Sequence, residues 1–113
     1  MEKGASSGLE MSEFVVVLCT APVGGSDKVA RALVEERLAA CINVSQARSY
    51  FVWEGRLFVD QEELMIIKTE QRMVEALKKR ILDLHSYQVP EIIVIPIKEG
   101  YEHYLNWIAQ SVG

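Results

Sequence analysis

The chain has 113 residues, half of them apolar and a quarter charged, which is typical of one globular domain with its own core. Its formal net charge is -4 and it has no block of Lys or Arg, which argues against nucleic acid as a partner because phosphate binding needs a basic patch. The longest apolar runs, such as residues 14–19, are far shorter than the ~20 residues of a membrane helix, so no membrane partner is expected.

The N-terminus and the cysteines indicate the cellular compartment of the protein. Residues 1–12 are polar and lack the apolar segment of a secretory signal, so we predict a flexible tail there and a folded domain over 13–113. Cys19 and Cys41 are too few for a disulfide framework. A cytoplasmic location with reduced thiols is the prediction.

The first half of the chain predicts a strand, a helix and a long hairpin. Residues 14–19 form an apolar, β-branched run typical of a buried strand, and Ser26 or Asp27 is expected to cap the helix that follows. Residues 42–53 form a second strand whose apolar parity changes, which predicts a bulge near 45–49. Glu54 and Gly55 form a two-residue hairpin connection to a third strand over 57–69.

The second half predicts a helix, an edge strand and a final helix. Thr69 is expected to cap the second helix, Pro96 places the fourth strand at a sheet edge, and a last helix contains residues 101–112. The order β-α-β-β-α-β-α predicts an α+β, ferredoxin-like antiparallel sheet. Its first and third strands are central, and both main helices lie on one face.

Both faces of the two central strands are apolar. Val15 and Val17 point to one face whereas Val16 and Leu18 point to the other, and the third strand shows the same pattern. Because the helices cover one face, the second face would leave a large apolar patch, which usually marks an interface. We therefore predict a homo-oligomer.

Several segments resemble the CutA1 divalent-cation tolerance family. They include residues 15–22, 38–44, 49–55, 68–69 and 85–91, together with Glu62 and the last helix. The resemblance extends over residues 14–108 and implies a ferredoxin-like homotrimer whose strands pair across subunits. It also implies a role in tolerance of copper and other heavy metals.

The resemblance implies a weak copper(II) or other divalent metal site at Cys19 and His85. In some bacterial members a cysteine on the first strand and two adjacent histidines hold the metal. Leu84 stands in place of the first histidine here, and Ser86 replaces the proline that follows the second. From the residues alone, Cys19 can instead be a small core hydrophobe and His85 a helix C-cap.

A second group of residues predicts a cleft between subunits. It comprises Trp53, Glu62, Lys68, Tyr87 and Glu91. Aromatic walls with a few polar groups are typical of small-ligand sites, although Glu62 and Lys68 share a strand face and can also form a simple ion pair. Cys41 is predicted to be structural and His103 to be a solvated surface residue.

No catalytic motif is present, so we predict a protein that is not an enzyme. The predicted function is divalent metal binding linked to metal tolerance. Two alternatives remain open: a signalling module like the trimeric PII proteins, which bind small molecules in subunit clefts, and a structural trimer that acts through a partner protein.

Overall fold

The structure, a computed structural model, describes residues 13–113, so the tail predicted for residues 1–12 lies outside the described part of the chain. In chain order the elements are β1 (Phe14–Pro22), α1 (Ser26–Glu35), β2 (Cys41–Trp53), β3 (Arg56–Glu70), a 3-10 turn (Gln71–Met73), α2 (Val74–Leu84), β4 (Ile93–Pro96) and α3 (Glu102–Ser111).

The four strands form one antiparallel sheet in the order β2-β3-β1-β4. This confirms the predicted ferredoxin-like α+β topology, with the first and third strands at the centre. It also confirms the edge position of Pro96, which lies opposite Val15 in the last strand of the sheet. An edge accommodates proline because a proline has no N–H to contribute to a ladder.

The core lies between one face of the sheet and the helices α1 and α2. Side chains of alternating residues on the central strands, such as Val17 and Ile67, are completely buried against Leu33, Leu77 and Ile81. Burial of each such side chain stabilises the fold by about 1.5–3 kcal/mol relative to its exposure. The apolar stripe of each helix and the alternating apolar residues of the strands therefore face the same core.

The opposite face of the sheet is only partly covered. Ile108 of α3 and Val112, the residue after this helix, pack with Phe14 at one end of this face. Toward β4, Ile93 and Ile95 remain 48% and 43% exposed. The structure thus confirms that both faces of the central strands are apolar and that one chain covers only one of them completely.

The prediction of a bulge in β2 is wrong. The register with β3 runs without a skipped residue from Cys41 opposite Lys68 to Trp53 opposite Arg56. The far part of this hairpin, which we call the ribbon (residues 48–61), extends beyond the helices and carries exposed apolar side chains on both faces. A single core face therefore does not impose one parity along the whole strand.

The ribbon turns at the two residues that the sequence indicates. Glu54 has a φ of 51° and Gly55 a φ of 79°. Two consecutive positive φ angles are those of a type I′ turn, whose twist matches that of the paired strands.

The two predicted helix caps are wrong. Gly25 is the N-cap residue of α1 and makes no side-chain cap, while the Ser26 hydroxyl donates instead to Oε1 of Glu63 at 2.5 Å. Thr69 belongs to β3, where its hydroxyl donates to the carbonyl oxygen of Leu38 at 2.7 Å. Contacts with distant strands and loops thus take the hydroxyls that local sequence assigns to caps.

Candidate functional site

The segment between α2 and β4 is held to the sheet by His85. The backbone N–H of Tyr87 donates to Nδ1 of His85 at 3.0 Å, so Nδ1 is the acceptor nitrogen. The other nitrogen, Nε2, then carries the hydrogen and donates to the carbonyl oxygen of Thr20 at 2.7 Å. This neutral tautomer ties residues 85–91 to the end of β1 and fixes the position of Tyr87.

Tyr87 in turn contacts a buried carboxylate on β3. Its hydroxyl donates to Oε2 of Glu62 at 2.6 Å, and the Glu62 residue is only 7% exposed. Burial raises the pKa of the Tyr87 phenol, and the hydrogen bond and charge of Glu62 raise it further. The phenol therefore stays protonated and acts as a donor to Glu62 at neutral pH.

A cleft of about 700 Å³ opens between the ribbon and the segment that contains Tyr87. It brings together four of the five residues that the sequence predicts for a cleft: Trp53, Glu62, Tyr87 and Glu91. Its other lining residues are Thr20, Ser49, Tyr50, Phe51, Phe58, Asp60, Gln88 and Val89. We call this site the acidic cleft, because it contains three carboxylates.

Lys68, the fifth predicted residue, does not line the acidic cleft of one chain. It shares a face of β3 with Glu62, as the sequence indicates, but the two residues are six positions apart, which is about 20 Å along the strand. Its ammonium group donates instead to Oδ1 of Asn43 and to the carbonyl oxygen of Ile66. An ion pair between Glu62 and Lys68 is therefore excluded within the chain.

The sequence reasoning missed Asp60, Phe51 and Phe58. Asp60 has the same parity as Glu62 on β3, so its side chain lies on the same face. Phe51 and Phe58 are directly opposite each other, and their rings stack with centroids 5.5 Å apart. Strand parity alone would have identified Asp60 once Glu62 was selected.

The residues predicted to hold a metal do not form a ligand set within one chain. Both ring nitrogens of His85 are engaged in hydrogen bonds, so neither offers a lone pair to a metal. The Cys19 thiol is completely buried, and burial, followed by the charge of Glu91, raises its pKa to about 12. A thiol binds metal as the thiolate, which this environment disfavours.

No group of three or more His, Cys, Asp or Glu side chains within residues 13–113 is arranged to hold a metal ion. The metal site at Cys19 and His85 therefore stays a prediction, and the geometry of one chain does not fit it.

The remaining cysteine and histidine lie outside the acidic cleft. Cys41 is half-buried beside Tyr104, whose phenol pKa is raised first by burial and then by Cys41. His103 is exposed on α3, and its ring makes a T-shaped contact with the ring of Tyr101. Both positions agree with the structural and surface roles that the sequence predicts.

Within residues 13–113, no helix combines the length and the apolar character required to cross a membrane.

Comparison with known proteins identifies the family. The family model described as CutA1 divalent ion tolerance protein matches residues 15–111. A divalent-cation tolerance protein CutA from Thermus thermophilus is 46% identical over 103 residues, which cover 87% of this chain and 97% of that protein. Some plant and animal relatives are longer, and the chain spans between 47% and 64% of their length.

Solved structures give the same result. A CutA described as a periplasmic divalent cation tolerance protein from Archaeoglobus fulgidus superposes with a TM-score of 0.86 and 34% identity, covering 88% of this chain and 99% of that one. A CutA described as PII-like from Nostoc has a TM-score of 0.84 and 29% identity, covering 88% and 97%. The chain therefore belongs to the CutA1 divalent ion tolerance protein family.

Proposed function

We propose that this protein is a non-catalytic binding protein of divalent-cation tolerance and that the acidic cleft is its ligand-binding site. The observation that carries the proposal is the buried Glu62 carboxylate in a cleft with aromatic walls. Burial of a carboxylate is costly unless a partner compensates for the lost water. Tyr87 occupies one of its oxygens, and a bound ligand would satisfy the rest.

A thermal-shift screen of divalent metals and small metabolites tests this proposal. A ligand of the acidic cleft raises the melting temperature of the wild type because it binds only the folded state. We expect the shift to be lost in Trp53→Ala and retained in Tyr101→Ala, which removes an aromatic ring that is 73% exposed and outside the cleft. Equal shifts in both variants would contradict the proposal.

We also propose that the protein works as a homotrimer. The support is the partly covered sheet face, where Val16 and Leu18 lie beside the exposed Ile93 and Ile95. A second copy would bury this face. Light scattering should give three times the 12.8 kDa chain mass, and Ile95→Glu should reduce it, since a buried unpaired charge is costly. A monomeric wild type would refute the trimer.

Weak binding of copper(II) or another divalent metal at His85 and Cys19 is the second candidate function. The family's description as divalent ion tolerance proteins favours it. Such binding requires His85 to give up one of its two hydrogen bonds and Cys19 to lose its proton. Copper(II) titration of the wild type and His85→Ala is the test. Equal affinities would refute a metal role for His85.

Two further assignments belong to this proposal. The likeness to a CutA described as PII-like favours small-molecule signalling through the cleft over a purely structural trimer that acts through a partner. We propose a cytoplasmic location, supported by two cysteines that are too few for a disulfide framework, whereas the Archaeoglobus fulgidus relative is described as periplasmic. Fractionation of cells that express the full-length protein decides between the two compartments.

A further inference from the structure

The acidic cleft combines negative charge with aromatic surface. We propose that it binds an organic ammonium ion, with the charged nitrogen against Glu62 and the apolar body against the aromatic walls. This inference rests on the proposed function of the cleft and adds the chemical class of the ligand.

The acidic cleft carries negative charge. Among residues 13–113 of one chain, the lining contains the carboxyl groups of Asp60, Glu62 and Glu91 and no Lys, Arg or His. None of these three acids forms a salt bridge with another residue in the range 13–113. Two acids elsewhere in the described chain do pair with a cation: Glu36 pairs with Arg80, and Glu70 pairs with Arg72. The cleft is therefore complementary to a cation.

Glu62 is placed to accept a further hydrogen bond from a ligand in the cleft. Asp60 and Glu62 are two residues apart on one face of β3, which places their backbones about 7 Å from each other. Oε2 of Glu62 accepts the Tyr87 hydroxyl, whereas no described residue donates to Oε1. An ammonium group has three donors, so it can satisfy Oε1 and a second acceptor of the cleft together.

The acidic cleft also has aromatic walls. Trp53, Phe51, Phe58 and Tyr87 line the same cleft as the carboxylates. Rings of this kind attract cations to their faces, and quaternary or alkylated ammonium ions are typical ligands of aromatic cages. Phe58 already has such a contact, because the guanidinium of Arg56 lies 5.8 Å from its centroid, so we assign the ligand cation to Trp53 and Tyr87.

The size of the cleft favours an organic cation over a bare metal ion. A divalent cation needs several oxygen ligands at about 2.0–2.6 Å. Residues 13–113 contain no cluster of acids, cysteines or histidines close enough to provide them. A cleft of about 700 Å³ instead has the dimensions of small-molecule sites.

Calorimetric titration with matched probes tests the proposal on the full-length protein in its solution assembly. Benzylamine, which is protonated at neutral pH, is compared with benzyl alcohol, its uncharged analogue of similar shape. We expect the amine to bind at least roughly tenfold more tightly, because a hydrogen bond to a charged group is stronger than one to a neutral group. Equal affinities for the two probes would overturn the inference.

Glu62→Gln removes the charge but keeps an acceptor for Tyr87, so the fold should be retained. We expect it to weaken benzylamine binding at least roughly tenfold and to leave the alcohol unaffected. Asp60→Asn, at an exposed position, is the second variant and should also weaken the binding of benzylamine. Glu75→Gln on α2 is the matched control, because its side chain is 87% exposed and remote from the cleft.

The outcomes separate this inference from the function on which it rests. Unchanged benzylamine affinity in both Glu62→Gln and Asp60→Asn would overturn the ammonium assignment. A neutral or anionic metabolite that stabilises the wild type and not Trp53→Ala would overturn it as well, but would support the cleft as the binding site.

Discussion

The hydrogen bond between Tyr87 and Glu62 gives the sharpest test of how the acidic cleft is built. Tyr87→Phe deletes only the hydroxyl, which donates to Oε2 of Glu62 at 2.6 Å. The phenyl ring keeps its contact with the His85 ring, whose centroid lies 4.8 Å away. The variant therefore isolates the hydrogen bond from the packing of the ring.

The structure sets the expected magnitude. A hydrogen bond to a charged group contributes about 1.5–3 kcal/mol, and Glu62 is only 7% exposed, so little water replaces the lost donor. Because the carboxylate still borders the cleft, we expect the free energy of unfolding to fall by an amount near the lower end of this range, about 2 kcal/mol. The same substitution in a Glu62→Gln background should cost about 1 kcal/mol, since the acceptor is then neutral.

Urea unfolding of the wild type, both single variants and the double variant measures this coupling. All four are compared at one protein concentration, because the stability of an oligomer depends on it. The expected coupling free energy is about 1 kcal/mol. If Tyr87→Phe costs the same in both backgrounds, the charge of Glu62 does not strengthen the hydrogen bond and the description of the cleft is wrong.

Three further predictions follow from the ionisable groups and the hairpin. Because the folded pKa of Tyr87 is raised, its contribution to stability is complete below about pH 10 and is lost as pH rises further; absorbance at 295 nm should show Tyr87 and Tyr104 titrating late, and Tyr87→Phe should remove one of these two late phenols. The pKa of Glu63 is lowered, first by the Ser26 hydroxyl and then by the backbone N–H groups of Gly24 and Ser26, so its contribution is present above its ordinary pKa of 4.5 and is lost as pH falls through the lowered folded value. Ser26→Ala should therefore shift the acid unfolding midpoint, followed by circular dichroism, to higher pH, and an unchanged midpoint would contradict this. Gly55→Ala should cost about 1–2 kcal/mol in urea unfolding, because an added Cβ meets open space and only the positive φ of 79° opposes it; a neutral result would show that the turn can change its conformation.

The elements and the topology could be predicted because they depend on local patterns. The β-branched run of β1, the Glu54–Gly55 turn and the proline in β4 each have one favourable place in an antiparallel sheet. The predictions of the helix caps were wrong because distant residues intervened, and the prediction of the bulge was wrong because the ribbon has no single core face. Ser26 and Thr69 use their hydroxyls for Glu63 and Leu38, which lie 37 and 31 residues away in sequence.

The sequence by itself determined a two-layer α+β domain with one sheet face left partly uncovered, because side-chain periodicity decides which residues face a core. Only the tertiary structure decided what His85 and Glu62 do. His85 reaches Thr20 across 65 residues, and Tyr87 reaches Glu62 across 25. Contacts of that separation depend on how strands and loops meet in space, and this is why a residue that resembles a metal ligand is, in the folded chain, the support of an acidic cleft.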